Sequence, residues 1–83
     1  MTGGPEAPVE VLDCLGQRCP LPVIALARRL PTVPPGAVVQ VLADDPAAAH
    51  DIPAWCRMRG QEFVRADTVD GVPTYTVRRA SVG

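Results

Sequence analysis

The 83 residues are 47% hydrophobic and 20% charged, with a formal net charge of -1, which is enough apolar content for one packed core, too short for two and too apolar for disorder. All eight basic residues are arginine, and no run of them exceeds two, so the electrostatic footprint of non-specific nucleic-acid or anionic-membrane binding is missing. No apolar stretch approaches the roughly 18 to 20 residues of a membrane span, and the start lacks the basic flank and apolar core of a secretion signal, so the chain is expected in the cytoplasm.

In chain order, residues 1–8 carry Gly3, Gly4, Pro5 and Pro8 without an apolar period, which predicts a flexible leader before a single domain at 9–83. Val9-Glu10-Val11-Leu12-Asp13-Cys14 is short and rich in branched side chains and is closed by Gly16, the pattern of a first strand ending in a turn. Pro20 and Pro22 then predict a helix beginning near Cys19, because the first helical turn tolerates residues without an N–H. Val23, Leu26, Ala27 and Leu30 recur at helical spacing, Arg28 and Arg29 fall outside that stripe, and Pro31 ends it.

After the rigid loop Pro31-Thr32-Val33-Pro34-Pro35-Gly36, the apolar run 37–43 reads as a central strand. Asp44-Asp45-Pro46 is expected to cap a second helix, with its aspartates near the positive dipole end. Pro53 should kink or restart that helix, Ile52, Trp55 and Cys56 should face inward, and Gly60 should stop it. Trp55 is expected as a core anchor. Residues 62–67 and 74–79 read as strands around the hairpin signal Asp70-Gly71. The order βαβαββ predicts an α/β (α+β) two-layer sandwich, with two helices on one face of a four-stranded mixed sheet. One small core should absorb most apolar residues, giving a monomer or weak dimer.

Three cysteines, an odd number without a secretion signal, argue against a structural disulfide framework. Cys14 and Cys19 are five apart and His50 and Cys56 six apart, too loose for the close pairs of a zinc site, so no metal and no cofactor is expected. His50 should sit on solvated helix surface. Cys14 and Cys56 fall on apolar faces and read as core residues. At a helix N-terminus beside Arg18, Cys19 is expected to be exposed and to have its thiol made more acidic by partial positive charge. No second cysteine lies at C-x-x-C spacing, so a thioredoxin-type resolving thiol is missing. The residues alone leave two readings open for Cys19: a nucleophile, or a small apolar residue at a proline-shaped helix start.

The stretch from Leu12 to Pro22, with Asp13-x-x-Gly16 before Cys19-Pro20-Leu21-Pro22, resembles the signature of the TusA-like (SirA-like) sulfur carrier family. Ala43-Asp44-Asp45-Pro46, with Asp51-Ile52-Pro53-Ala54-Trp55-Cys56 and Gly60, is similar to that family's second helix and its approach, and the likeness runs over about residues 9–79. The resemblance implies a sulfurtransferase-type carrier whose cysteine, here Cys19, takes sulfane sulfur as a persulfide and relays it to a partner. It implies supporting roles for Asp13, Gly16, Arg18, Pro20 and Pro22. The implied partners are a donor protein, such as a cysteine desulfurase or a rhodanese-like protein, and an acceptor protein. Two rivals stand beside it: a regulatory or binding module without persulfide chemistry, and an RNA-binding domain using its open sheet face. Against the second, Phe63 and Tyr75 are the only sheet aromatics and no basic stripe surrounds them.

Overall fold

The structure, a computed structural model, describes residues 7–80. Strands β1 (Pro8–Asp13), β2 (Val38–Leu42), β3 (Glu62–Val69) and β4 (Val72–Arg78) form one sheet, and helices α1 (Leu21–Arg29) and α2 (Ala48–Arg59) connect β1 to β2 and β2 to β3. The sheet order is β1-β2-β4-β3, with β1 parallel to β2 and the other two pairs antiparallel. This is the expected mixed sheet. The expected leader at residues 1–8 lies mostly outside the described residues, but Pro8 already opens β1. Proline is tolerated as the first residue of a strand because no ladder N–H is required of it there.

The apolar run is the central strand it was expected to be, and period-two alternation divides its side chains between faces. Val39 and Val41 of β2 and Tyr75 and Val77 of β4 join Leu26 and Leu30 below α1 and Ala48, Ile52 and Cys56 of α2 in one buried cluster. Both helices therefore cover the same face. On the other face the row Val11, Gln40, Thr76 and Arg65 crosses all four strands, with Gln40 Nε2 donating to Thr76 Oγ1 at 3.4 Å. Val9 and Val11 remain about half exposed there.

β3 and β4 run right up to Asp70-Gly71 and are each longer at that end than the sequence pattern implies. Cross-strand pairs Thr68 with Pro73 and Val69 with Val72 extend the ladder into residues that have little strand signal alone. Asp70 and Gly71 both adopt positive φ, 52° and 77°, as a two-residue type I′ turn requires. α2 is one continuous helix with Pro53 inside it, not two segments. Gly60 closes it in the left-handed region at φ 69°, its N–H shared between the Arg57 and Cys56 carbonyls.

Trp55 departs from its expected role. Ile52 and Cys56 are fully buried, but the indole is half-buried at the edge of the core. It lines a cavity of about 300 Å³ with Leu30, Pro31, Arg59 and Arg79. A helical face about 100° wide holds Ile52 and Cys56 at its centre, and the ring one position away reaches the rim.

Candidate functional site

β1 and β2 are parallel and pair Asp13 with Leu42, so the chain leaves both strands at the same edge and in the same direction. Two loops therefore run side by side: residues 14–20, which lead to α1, and residues 43–47, which lead to α2. The Cys14 N–H donates to the Leu42 carbonyl at 2.8 Å, carrying the pairing one step past the strands. Asp13 Oδ1 accepts the Leu15 N–H at 3.1 Å. Gly16 sits at φ 79° with open space around its missing side chain, so its backbone conformation, not crowding, favours glycine.

The second loop grips the first through aspartates. The Gly16 N–H donates to Asp44 Oδ1 at 3.1 Å, and the Cys19 N–H donates to Asp45 Oδ2 at 3.0 Å. Asp45 Oδ1 also accepts the Ala47 N–H at 2.9 Å. The expected capping role is thus only partly met: no side chain caps α2 at its own N-cap, Ala47, and the aspartates spend most of their hydrogen bonds on the neighbouring loop. Gly16, Gln17, Arg18, Asp44, Asp45 and Pro46 wall an open groove of about 430 Å³ between the loops.

α1 begins at Leu21, two residues later than expected. Pro20 is its N-cap after a cis Cys19–Pro20 peptide bond, the Leu21 N–H donates to the Arg18 carbonyl, and Pro22 lies buried in the first turn. Cys19 therefore stands outside the helix. Its own N–H faces a carboxylate, and the side chain is half-buried against the core instead of exposed. Arg18, Pro20 and Gly16 are exposed.

The electrostatics reverse the expectation for Cys19. Its thiol is pushed up to about 11 from an ordinary 9.0, first by burial, then by a hydrogen bond to the Asp51 carboxylate and by the charges of Asp51 and Asp45. Hydrogen bonding to the neutral form and nearby like charge both disfavour a thiolate. Arg18 does not offset this, because its guanidinium acts on Asp45: that carboxyl is held below its ordinary range by the Ala47 and Cys19 N–H groups, and Arg18 adds to the effect. Tyr75, buried beneath, is raised by burial and by the nearby Cys19.

Cys14 and Cys56 are buried, as their apolar faces suggested, and burial raises both, Cys56 to about 11. His50 is exposed. No group of three or more His, Cys, Asp or Glu among the described residues is placed to hold a metal ion. Asp45 and Asp51 were not singled out by sequence reasoning as neighbours of Cys19. The one signal for them was their place in the second block, Asp44-Asp45-Pro46 to Asp51-Ile52-Pro53.

The family model described as "Sulfurtransferase TusA" matches residues 10–79. Among solved structures, the crystal structure of a SirA-like protein from Desulfitobacterium hafniense superposes with a TM-score of 0.76 at 27% identity. The match covers 87% of this chain and 99% of that one.

Proposed function

Because the chain belongs to the sulfurtransferase TusA family, a family of sulfur carriers, we propose that it accepts sulfane sulfur on Cys19 as a persulfide and relays it to a partner protein. One observation carries the assignment to Cys19: of three free cysteines, Cys14 and Cys56 are buried and Cys19 alone keeps contact with solvent. It also lies beside an open groove through which a partner's sulfur can approach. In loading, the Cys19 sulfur attacks the outer sulfur of a donor persulfide; a new S–S bond forms, the donor's S–S bond breaks, and the donor sulfur leaves as a thiolate. In unloading, an acceptor nucleophile takes that outer sulfur and Cys19 becomes the leaving thiolate. The exchange is redox-neutral and calls for no cofactor.

Asp13 and Gly16 shape the turn before the cysteine, Pro20 and Pro22 set the backbone after it, and Arg18 stands at the groove as a contact for the partner. Donor and acceptor are proteins, the donor a cysteine desulfurase or a rhodanese-like protein, and the domain works as a monomer or weak dimer in the cytoplasm. No helix among the described residues is long and apolar enough to cross a membrane. RNA stacking on the open sheet face is disfavoured, since Phe63 and Tyr75 both pack on the helix side.

Incubation with a cysteine desulfurase and cysteine, or with a persulfidated rhodanese, should add one sulfur atom by intact mass, removable by reductant. Cys19→Ser should abolish the addition, while a Cys14→Ala, Cys56→Ala double variant should still load. A Cys19→Ser protein that loads as well as the parent, or a parent that several such donors leave unmodified, would overturn the reading in favour of a binding module.

A further inference from the structure

The cavity of about 300 Å³ that Trp55 lines lies at the C-terminal ends of both helices. Leu30 and Pro31, just after α1, give it an apolar wall, and Arg59, the last residue of α2, joins Gln61 and Arg79 as its polar lining. No carboxylate lines it. Asp13, Asp44, Asp45 and Asp51 gather at the opposite end of the helices, around the loop of Cys19, and Glu10 and Glu62 pair with Arg29 and Arg78. Neither Arg59 nor Arg79 has an ion pair among the described residues. The helix dipole accounts for a cation at the position of Arg59, but not for Arg79, which follows a strand. Arg79 is partly buried and fixed in place: its N–H donates to the Ala37 carbonyl at 2.8 Å, its carbonyl accepts the Gly36 N–H at 2.9 Å, and Nη1 donates to the Val33 carbonyl at 2.6 Å. One carbonyl occupies one of five guanidinium donors and leaves the charge unanswered. Charges drawn away from water are normally paired.

We propose that this cavity binds a small organic anion with a flat apolar body, a carboxylate or phosphate ester carried on a ring. The ring packs against Trp55, Leu30 and Pro31, and the anionic group answers the charges of Arg59 and Arg79. Ligand pockets begin at about 300 Å³ and combine an apolar or aromatic wall with a few polar groups that orient the ligand. A guanidinium fork matches a carboxylate or phosphate through two parallel N–H···O bonds. A neutral apolar ligand would leave Arg79 desolvated without a partner, and a cation would be repelled by both arginines. The indole that the core leaves at its rim is then the stacking surface. The nine residues of α1 separate the cavity from the loop of Cys19, and the inference does not rest on the carrier reading.

Trp55 is the single tryptophan of the chain, so its fluorescence reports on the cavity directly. Titrating the full chain with benzoate and with phenyl phosphate should give a saturable change with at least one of them. Benzyl alcohol and benzylamine, which keep the ring without the anion, and acetate and inorganic phosphate, which keep the anion without the ring, should bind about tenfold more weakly or less. In the unsubstituted protein, NMR shifts on binding should centre on Leu30, the Trp55 indole N–H, Arg59, Gln61 and Arg79, and leave Gly16 and Cys19 unmoved. Arg59→Gln, at an exposed position, should keep the melting temperature and weaken binding about tenfold, the order of one charged hydrogen bond. Arg57→Gln, exposed in the same helical turn but outside the lining, should bind as the parent does. No saturable change with either anion, an equal response to benzyl alcohol, shifts centred on the Cys19 loop, or full binding by Arg59→Gln overturns the proposal. None of these bears on sulfur loading at Cys19, and a protein that fails to load would leave this proposal standing.

Discussion

Cys56 sits in the C-terminal half of α2 and Cys19 faces the first turn of the same helix, and both thiols are pushed up to about 11. For Cys56, burial alone is responsible, in a core that also holds Ile52 and Tyr75. For Cys19, burial is joined by a hydrogen bond to Asp51 and by the charges of Asp51 and Asp45. The same acidity therefore conceals two different conditions. Releasing Cys56 requires the fold to open, whereas at Cys19 burial, still the largest cause, is joined by carboxylates at a rim that keeps contact with solvent.

Adjacent residues on α2 give the sharpest way to break that comparison. Ile52 is fully buried, and Ile52→Ala should cost about 2–5 kcal/mol of stability, the usual range for emptying a core site. Chemical denaturation would read the loss, and the pH midpoint of Cys19 in the folded protein should stay where it was. Its neighbour Asp51 should behave in the opposite way, moving reactivity and sparing stability. If Ile52→Ala shifts the Cys19 midpoint as far as Asp51→Asn does, the buried face of the helix and its rim are not independent.

A smaller effect lies in alkaline solution. Folding raises the Cys56 thiol from an ordinary 9.0 to about 11, so between those values the folded state holds a proton that the unfolded state has lost. Stability is then full below about pH 9 and falls as pH rises through the folded value, by about 2 kcal/mol for this group. Denaturant melts from pH 8 to 11 under reductant should show the decline, and Cys56→Ala should make it shallower, the remainder coming from Cys19, Cys14 and Tyr75, which folding also raises. An equal slope in that variant would mean that burial of Cys56 is not the cause.

The smallest contrast is between two serine substitutions. Cys56→Ser places a hydroxyl in an apolar site and should cost about 1 kcal/mol or more, whereas Cys19→Ser, at the half-buried rim, should stay within about 0.5 kcal/mol. Thermal melts of the two variants side by side would check this. Equal losses would place Cys19 in the core with Cys56.

Much of the fold is legible in the residues because its signals are local. Leu26 and Leu30 at helical spacing, the apolar run around Val39 and Val41, and Asp70-Gly71 each declare an element through neighbours a few positions away. Gly60 declares the end of α2 in the same way. The extension of β3 to Val69 was hidden, since Thr68 and Val69 become strand through their pairing with Pro73 and Val72. The half-exposed rim position of Trp55 was hidden too, because helical periodicity names a face but not where a neighbouring element stops covering it.

The candidate site divides along the same line. The sequence by itself determined that Cys19 is the cysteine set apart by its surroundings, because prolines and glycine act on the backbone where they stand. Only the tertiary structure decided which way its acidity shifts. Arg18 and a nearby helix start argue for a more acidic thiol, yet Asp45 lies 26 residues away in sequence and accepts the Cys19 N–H, and Asp51 lies farther still. They meet because β1 and β2 are parallel and in register at Asp13 and Leu42. That pairing sends two distant loops out over the same edge, where Coulomb and hydrogen-bond terms act through space over a few ångströms and sequence separation has no bearing on them.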